Sequence, residues 1–437
     1  MNASSEAIAT PTTRRAWRAS LLRFDVEGQP VYESDGLLIT EQQGTAPARV
    51  LAAGDWSSLR RAYLEVPVTD LSGHLIAPGF IDLHVHYPQT DVMGSPADGL
   101  LPWLNTYTFP QETRFAERSH ADEVAAFFLD QLLAHGVTTA LVFATSHPAS
   151  VDAFFEAAQQ RRLRMITGKC LMDRFCPDGV RDDTEQSLID TETLIGRWHG
   201  QGRLGYAITP RFACTSTPEQ LRGAGELAAR YPDVWVQSHV AENFDEIRWA
   251  RELFPKSRSY LSTYDDFGLM RPRSVYAHCI HFDDDDRALM RERHTAAAVC
   301  PTSNLFLGSG FFDFAKAQSA GFAHALASDV GGGTSLSPLA TMAAAYHVGR
   351  EGQTKAGLSL SPSRLWWLHT AGGARALDLE GVVGNLQPGC EADFVVINPK
   401  ATPLLARRAT QANSLDELLF ALIVLGDDRA VVQTVVA

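Results

Sequence analysis

Between Pro78 and Leu377 the chain alternates apolar runs with stretches of helical spacing, and this rhythm limits its fold more than any other feature. The runs fall at 80–86, 138–144, 164–172, 204–210, 234–240, 274–280, 295–300 and 322–328. Strands that alternate with helices pair in parallel, because each crossover returns the next strand to the same end of the sheet. Eight such units close a (β/α)8 barrel. The expected fold is therefore α/β, with a TIM-type barrel over 77–379.

Outside that stretch the pattern changes. Short β-like runs at Leu21–Phe24, Gly36–Ile39 and Tyr63–Val66 are broken by turn residues, and two more, Ala392–Ile397 and Ala430–Val435, lie near the other end. Neither set can cover both of its faces alone. They are expected to meet as a small composite β-sandwich of 15–76 and 380–437, behind a disordered tail over 1–14. Ser119 with Asp122 resembles a capping box, opening a helix with Val124, Phe127, Phe128 and Leu132 as its apolar stripe and Gly136 as its stop. Thr217-Pro218-Glu219-Gln220 opens another with a cap and a capping-box glutamine. Asp283 to Asp286 is taken as a helix N-terminus rather than an acidic ligand cluster. The connection from Tyr87 to Arg118 is far longer than a barrel loop needs and carries Trp103, Tyr107 and Phe109, either as walls for a flat ligand or as its own small core.

Composition narrows the function. Of 437 residues 45% are hydrophobic and 20% charged, so a large core is within reach, and the net charge of −13 disfavours a nucleic-acid backbone or an anionic substrate as partner. The six cysteines, at 170, 176, 214, 279, 300 and 390, include no Cys-x-x-Cys pair. That argues against a disulfide framework or a thiolate zinc site and fits a reducing cytoplasm. The start lacks an apolar signal core, and the longest apolar run, Leu418 to Leu425, is far below a membrane span. The expectation is an unexported cytoplasmic protein with no membrane partner.

If the barrel is right, functional groups gather where its strands end. The first strand ends in His84 and His86, which share a face at i, i+2. The fifth ends in His239, the sixth in His278 and the eighth in Asp329. Three imidazoles and one carboxylate suit a hydrolytic metal with a position open for water, zinc and ferrous iron alike. Such an ion lowers the pKa of water toward neutrality. Glu242, three residues after His239, is placed either to move the water's proton or to complement a helix N-terminus. His278 is preferred as a hydrogen-bond partner of that water over a further ligand. A dinuclear site needs a bridging lysine at the end of strand four, which 207–212 lack, and Lys169 lies within strand three. One ion is expected.

These residues, with the stretch Pro78–His86 and the closing Asn385-Leu386-Gln387-Pro388-Gly389-Cys390-Glu391-Ala392-Asp393-Phe394, resemble the amidohydrolase superfamily along almost the whole chain. The last motif usually carries lysine where Cys390 stands, a change expected at the surface. The chain stops at Ala437, where members commonly run on through another strand. Five stretches resemble the branch acting on guanine: His84–Gln89, Trp103–Glu112, Thr209–Phe212, Ser238–Asn243 and Cys300–Leu305. The resemblance implies hydrolytic deamination of guanine to xanthine and ammonia, in purine catabolism, by a homodimer with one zinc ion per chain. It implies His84, His86, His239 and Asp329 as metal ligands, and Glu242 as proton shuttle with Asp329 and His278 beside it. Gln89, Arg211 and Phe212 are the implied purine contacts, with His239 and Glu242 also facing the base. The residues alone leave three rivals: another amino-heterocycle as substrate, a dead relative that only binds, and a nucleic-acid deaminase, which the charge disfavours. The His-x-Glu and Pro-Cys-x-x-Cys of the cytidine-deaminase type do not occur.

Overall fold

The computed structural model describes residues 11–96, 98–352 and 358–437. Its strands run β1 (Thr12–Phe24), β2 (Pro30–Gln43), β3 (Arg49–Asp55), β4 (Val68–Pro78), β5 (Phe80–His86), β6 (Val137–Phe143), β7 (Arg164–Gly168), β8 (Cys170–Leu171), β9 (Gly205–Pro210), β10 (Trp235–Val240), β11 (Ser274–His278), β12 (Ala296–Val299), β13 (Ala323–Leu326), β14 (Phe394–Ile397) and β15 (Val431–Val435). From β5 to β13 every ladder is parallel, in the order β5-β6-β7-β9-β10-β11-β12-β13, with the short β8 on β9. The expected barrel strands are therefore all present, the third broken at Lys169. Buried Lys169 pairs with the half-buried Asp182.

The barrel closes just beyond β13. The Asp329 N–H donates to the His84 carbonyl at 2.9 Å, and the His86 N–H to the Val330 carbonyl at 2.7 Å. Buried Asp82 adds a side-chain staple, accepting from the Ser328 N–H at 3.0 Å and from its hydroxyl. Gly79 has no alternative at the base of this strand, since a Cβ there would sit 2.2 Å from the Thr138 hydroxyl. The seam that joins first strand to last is thus also where three strand-end polar residues meet.

Both chain ends supply the second sheet, in the order β15-β14-β4-β1-β2-β3. β1 and β4 are parallel and the other pairs antiparallel. Trp17, Leu21, Leu38, Ile76 and Phe394 pack on one face, while Ala16, Leu37, Ile39 and Val66 form a smaller cluster. Arg203, Arg164, Glu391 and Asp393 tie the sheet to the barrel as a buried charge cluster.

Several local expectations are corrected. Within the expected tail of 1–14, β1 already starts at Thr12, and residues 1–10 lie outside the described residues. Tyr63–Val66 is a turn, with both ends held by the Arg60 guanidinium on the Tyr63 and Val66 carbonyls. Glu117, not Ser119, holds the N-cap position of the 118–134 helix, without a side-chain cap bond, and Phe127 points to solvent, off the buried stripe of Val124, Phe128 and Leu132. Thr217 does cap its helix, but the Gln220 side chain goes to Ser187 instead of the cap. Asp283 and Asp286 form a reciprocal capping box, as a helix N-terminus requires. The 380–437 segment does not belong to the sheet throughout. Its helix Leu415–Leu425 packs on barrel helices, through Phe420 on Tyr346 and Asp416 on the Ser363 N–H. Cys390 is buried, 2% exposed, with its thiol on the Gly381 carbonyl, and is not a surface position. The Tyr87–Arg118 connection is mostly short helical turns, not an open loop.

No helix among the described residues is long and apolar enough to cross a membrane.

Candidate metal centre and binding cavity

Four groups converge where the barrel strands end. The Nε2 of His86 lies 3.1 Å from the Nε2 of His84 and 3.1 Å from that of His239. Asp329 Oδ1 lies 3.1 Å from His84 Nε2 and 3.3 Å from His86 Nε2. Such atoms could hold a metal ion, and all four lie within 4.8 Å of one another. Protons alone do not explain the arrangement. His239 donates its Nδ1 proton to the Arg211 carbonyl at 2.6 Å, so its Nε2 turns a lone pair toward two more ring nitrogens. Donor atoms about 2.0–2.1 Å from a shared zinc ion would be spaced much like this. The donor set therefore fits a metal.

Electrostatics keep the donors in the form a metal needs. Burial first, and His84 next, hold the His239 imidazole well below its ordinary value, and burial holds His86 down to about 3. Both are neutral in ordinary solution. Burial works against ionising Asp329, but the neighbouring His84 and His86 outweigh it and keep the carboxyl well below its usual range. Cys300 falls close to His278 and Asp329, yet burial pushes its thiol well up and it stays a weak donor to the Ala298 carbonyl.

The backbone is bent to make this meeting possible. Asp329 has φ +50°, His278 +73°, Cys279 +53° and Ala241 +49°, all left-handed conformations that residues with side chains avoid. Each costs on the order of 1–3 kcal/mol and survives only where the surroundings fix it. Here the Asp329 N–H bond to His84 and the Cys279 N–H bond to Val240 at 3.2 Å do so.

Beside the donors stands a buried carboxylate. Glu242 is buried; its Oε1 accepts from the Ser309 hydroxyl at 2.8 Å, and its Oε2 lies 3.4 Å from His278 Nε2. His278 in turn gives its Nδ1 proton to Asn304 at 2.8 Å, which leaves Nε2 facing Glu242. Burial, then the Asp329 charge, push Glu242 above the usual carboxylate range. Glu246, one helical turn on, accepts from the Glu242 N–H at 2.6 Å and fixes the turn that carries it.

The same cavity has a second wall. Gln89, Trp103, Arg211 and Phe212 line it together with His86, His239, Glu242, His278 and Asp329. Every residue singled out in the sequence as metal, proton or base contact lines this space except His84, whose ring meets His86 edge-on. Of the long connection's aromatics, Trp103 faces the cavity, Phe109 lies under the Arg211 guanidinium at 5.2 Å and Tyr107 packs into the local core. Sequence reasoning passed over Glu112, Glu246, Asn304 and Ser309. Glu112 sits in the polar turn Phe109-Pro110-Gln111-Glu112-Thr113, where nothing local marks it as buried, and all four show only in three dimensions.

Residues 75–437 match the amidohydrolase family. A curated guanine deaminase of Escherichia coli strain K12 is 45% identical over 419 residues, covering 96% of this chain and 92% of its own. Among solved structures, E. coli guanine deaminase superposes with a TM-score of 0.91 at 42% identity, covering 97% of each chain. A guanine deaminase from C. acetobutylicum, solved with bound guanine in its active site, superposes with a TM-score of 0.89 at 30% identity, covering 97% of this chain and 99% of that one.

Proposed function

Because the chain belongs to the amidohydrolase family, we infer that its cavity performs that family's hydrolytic chemistry on guanine, giving xanthine and ammonia. One observation carries the inference: a four-donor metal group and a buried carboxylate share a small cavity with a guanidinium, an amide and a phenyl ring.

His84, His86, His239 and Asp329 would hold one zinc ion. When bound, the ion acidifies water and so supplies a nucleophile near neutral pH. The chain's own groups then divide the work. Phe212 offers a face to the flat base, and Arg211 and Gln89 bind its polar edge, which sets C2 beside Glu242. As water oxygen bonds to C2, Glu242 takes one proton and delivers it to the neighbouring ring nitrogen, N3. His278, fixed by Asn304, holds the water in line. The remaining hydroxyl proton passes through Asp329 to the exocyclic amine, the C2–N bond breaks and ammonia leaves. Ser309 and Glu246 keep Glu242 in place throughout. The resemblance carries two further expectations, a homodimer and a place in purine breakdown, and the unpaired cysteine pattern carries a third, a cytoplasmic site.

The test follows xanthine and ammonia release by the zinc-loaded protein, with Glu242→Gln alongside. Wild-type turnover that falls by about 10²–10⁴ in the variant, at unchanged metal content, is expected. Bound metal without any guanine turnover would overturn the substrate.

A further inference from the structure

Glu112 lies on the far side of the cavity wall from the metal donors, fully buried in the helical turn Phe109–Thr113. Its Oε2 takes a hydrogen bond from Arg211 Nη1 at 2.6 Å. Its Oε1 takes one from Gln89 Nε2 at 3.0 Å. The Gln89 amide oxygen, pointing the other way, faces the Gly331 N–H at 3.4 Å. Neither base-contact side chain is held by anything else so firmly.

We propose that Glu112 is a specificity-determining positioning residue: by accepting from both Arg211 and Gln89 it makes this wall a wall of donors, which selects 6-oxopurines over 6-aminopurines. The inference rests on the purine assignment of the cavity and adds to it the reason for the choice of base edge. A carboxylate accepts and never donates, so both partners must turn N–H groups toward it. That requirement removes the freedom of the Gln89 amide, whose two ends are otherwise interchangeable. Its nitrogen is committed to Glu112 and its oxygen to Gly331. That oxygen keeps one lone pair, but what a ligand meets is mostly donors: the second amide N–H of Gln89 and the unshared N–H groups of Arg211. These pair with a carbonyl oxygen or a ring nitrogen lone pair. An exocyclic amino group set against them meets donor with donor, and a buried site with unpaired groups discriminates strongly. The Arg211 guanidinium also rests on the Phe109 ring, from the same turn as Glu112, so one helical turn fixes both its plane and its hydrogen bonds.

The experiment measures binding of hypoxanthine and adenine by calorimetry, in the zinc-loaded wild type and two variants. Neither base carries a 2-amino group, so affinity is read apart from turnover at C2. The wild type is expected to prefer hypoxanthine by at least about tenfold. Glu112→Gln keeps size and shape but brings an NH2 against one of two donors, and the preference is expected to fall at least about tenfold toward parity. The swap Glu112→Gln with Gln89→Glu rebuilds every hydrogen bond of the network while moving the acceptor to the cavity side. It is expected to fold with a wild-type melting temperature and to prefer adenine. An unchanged preference in Glu112→Gln, or a swap that restores the preference for hypoxanthine, would overturn the inference and leave Glu112 a structural ion-pair partner. A wild type that prefers hypoxanthine but does not turn over guanine would sink the activity and support the role of Glu112.

Discussion

Replacing Glu391 by glutamine tests how the terminal sheet is held to the barrel. Glu391 accepts from Arg164 at 2.6 and 3.0 Å and from Arg203 Nε at 2.9 Å, and its side chain is 4% exposed. Arg203 also pairs with Asp393, whose second oxygen accepts the Ala437 N–H at 2.9 Å. The neutral amide keeps the shape but leaves one buried guanidinium short of a negative partner, a loss of about 3–5 kcal/mol for a buried pair broken from one side. An unfolding entropy of about 2.1 cal/mol/K per residue, over 437 residues, converts this to a drop in Tm of about 3–5 °C if the chain unfolds as one unit. The pH dependence is the sharper check. Burial raises the Glu391 pKa, but Arg164 and Arg203 outweigh it and hold the carboxyl below its usual value. A group so depressed stabilises the fold above its unfolded pKa, about 4.3, and the contribution is lost as pH falls through the folded value. Differential scanning calorimetry of wild type and Glu391→Gln should show the full gap at neutral pH and a closing gap as the solution is acidified past that unfolded value. An equal Tm at neutral pH, or a gap that persists into acid, would refute the account.

Three further outcomes follow from the cavity. Asp82→Ala removes the staple between β5 and Ser328, one residue before Asp329, and should weaken zinc about 10–100-fold in chelator competition; unchanged affinity would mean the backbone seam suffices. Ser309→Ala takes away a hydrogen bond to a buried carboxylate worth about 1.5–3 kcal/mol, so kcat should fall about 10–100-fold with bound metal unaltered. In Gly331→Ala the new Cβ would fall 2.8 Å from the Gln89 Cβ, displacing the amide, and steady-state kinetics should show KM for guanine rising more than kcat falls.

Strand existence was legible because a barrel strand buried on both sides is rich in apolar residues along its whole length, as Phe80–Val85 and Val137–Phe143 are, interrupted only by Asp82, His84, Thr138 and Thr139. The polar residues that end such runs stand out for the same reason, and His239, His278 and Asp329 do reach one cavity. Local signals failed where a tertiary partner competed with them. Gln220 left its cap for Ser187, Tyr63–Val66 was claimed by Arg60, and Leu415–Leu425 found barrel helices. The left-handed backbone at His278 and Asp329 has no sequence mark at all, since neither residue is glycine.

Metal centre and base wall are built from the same few segments, which couples them. Arg211 fixes the His239 tautomer through its carbonyl while its side chain lines the cavity. Gln89 follows His86 by three residues, and Gly331 follows Asp329 by two. The bond between Gly331 and Gln89 therefore links the two segments that deliver three of the four donors, just beyond the hydrogen bonds that close the barrel. A shift of the Gln89 amide would pull on the donor segments, and a shift of the donors would turn the amide. Zinc and a 6-oxopurine are thus expected to bind with positive coupling, each ordering part of the other's site. By linkage, hypoxanthine should then tighten zinc by the same factor that zinc tightens hypoxanthine. Calorimetric titrations in both orders measure the two factors; a factor of one would show that the shared segments are rigid before either ligand arrives.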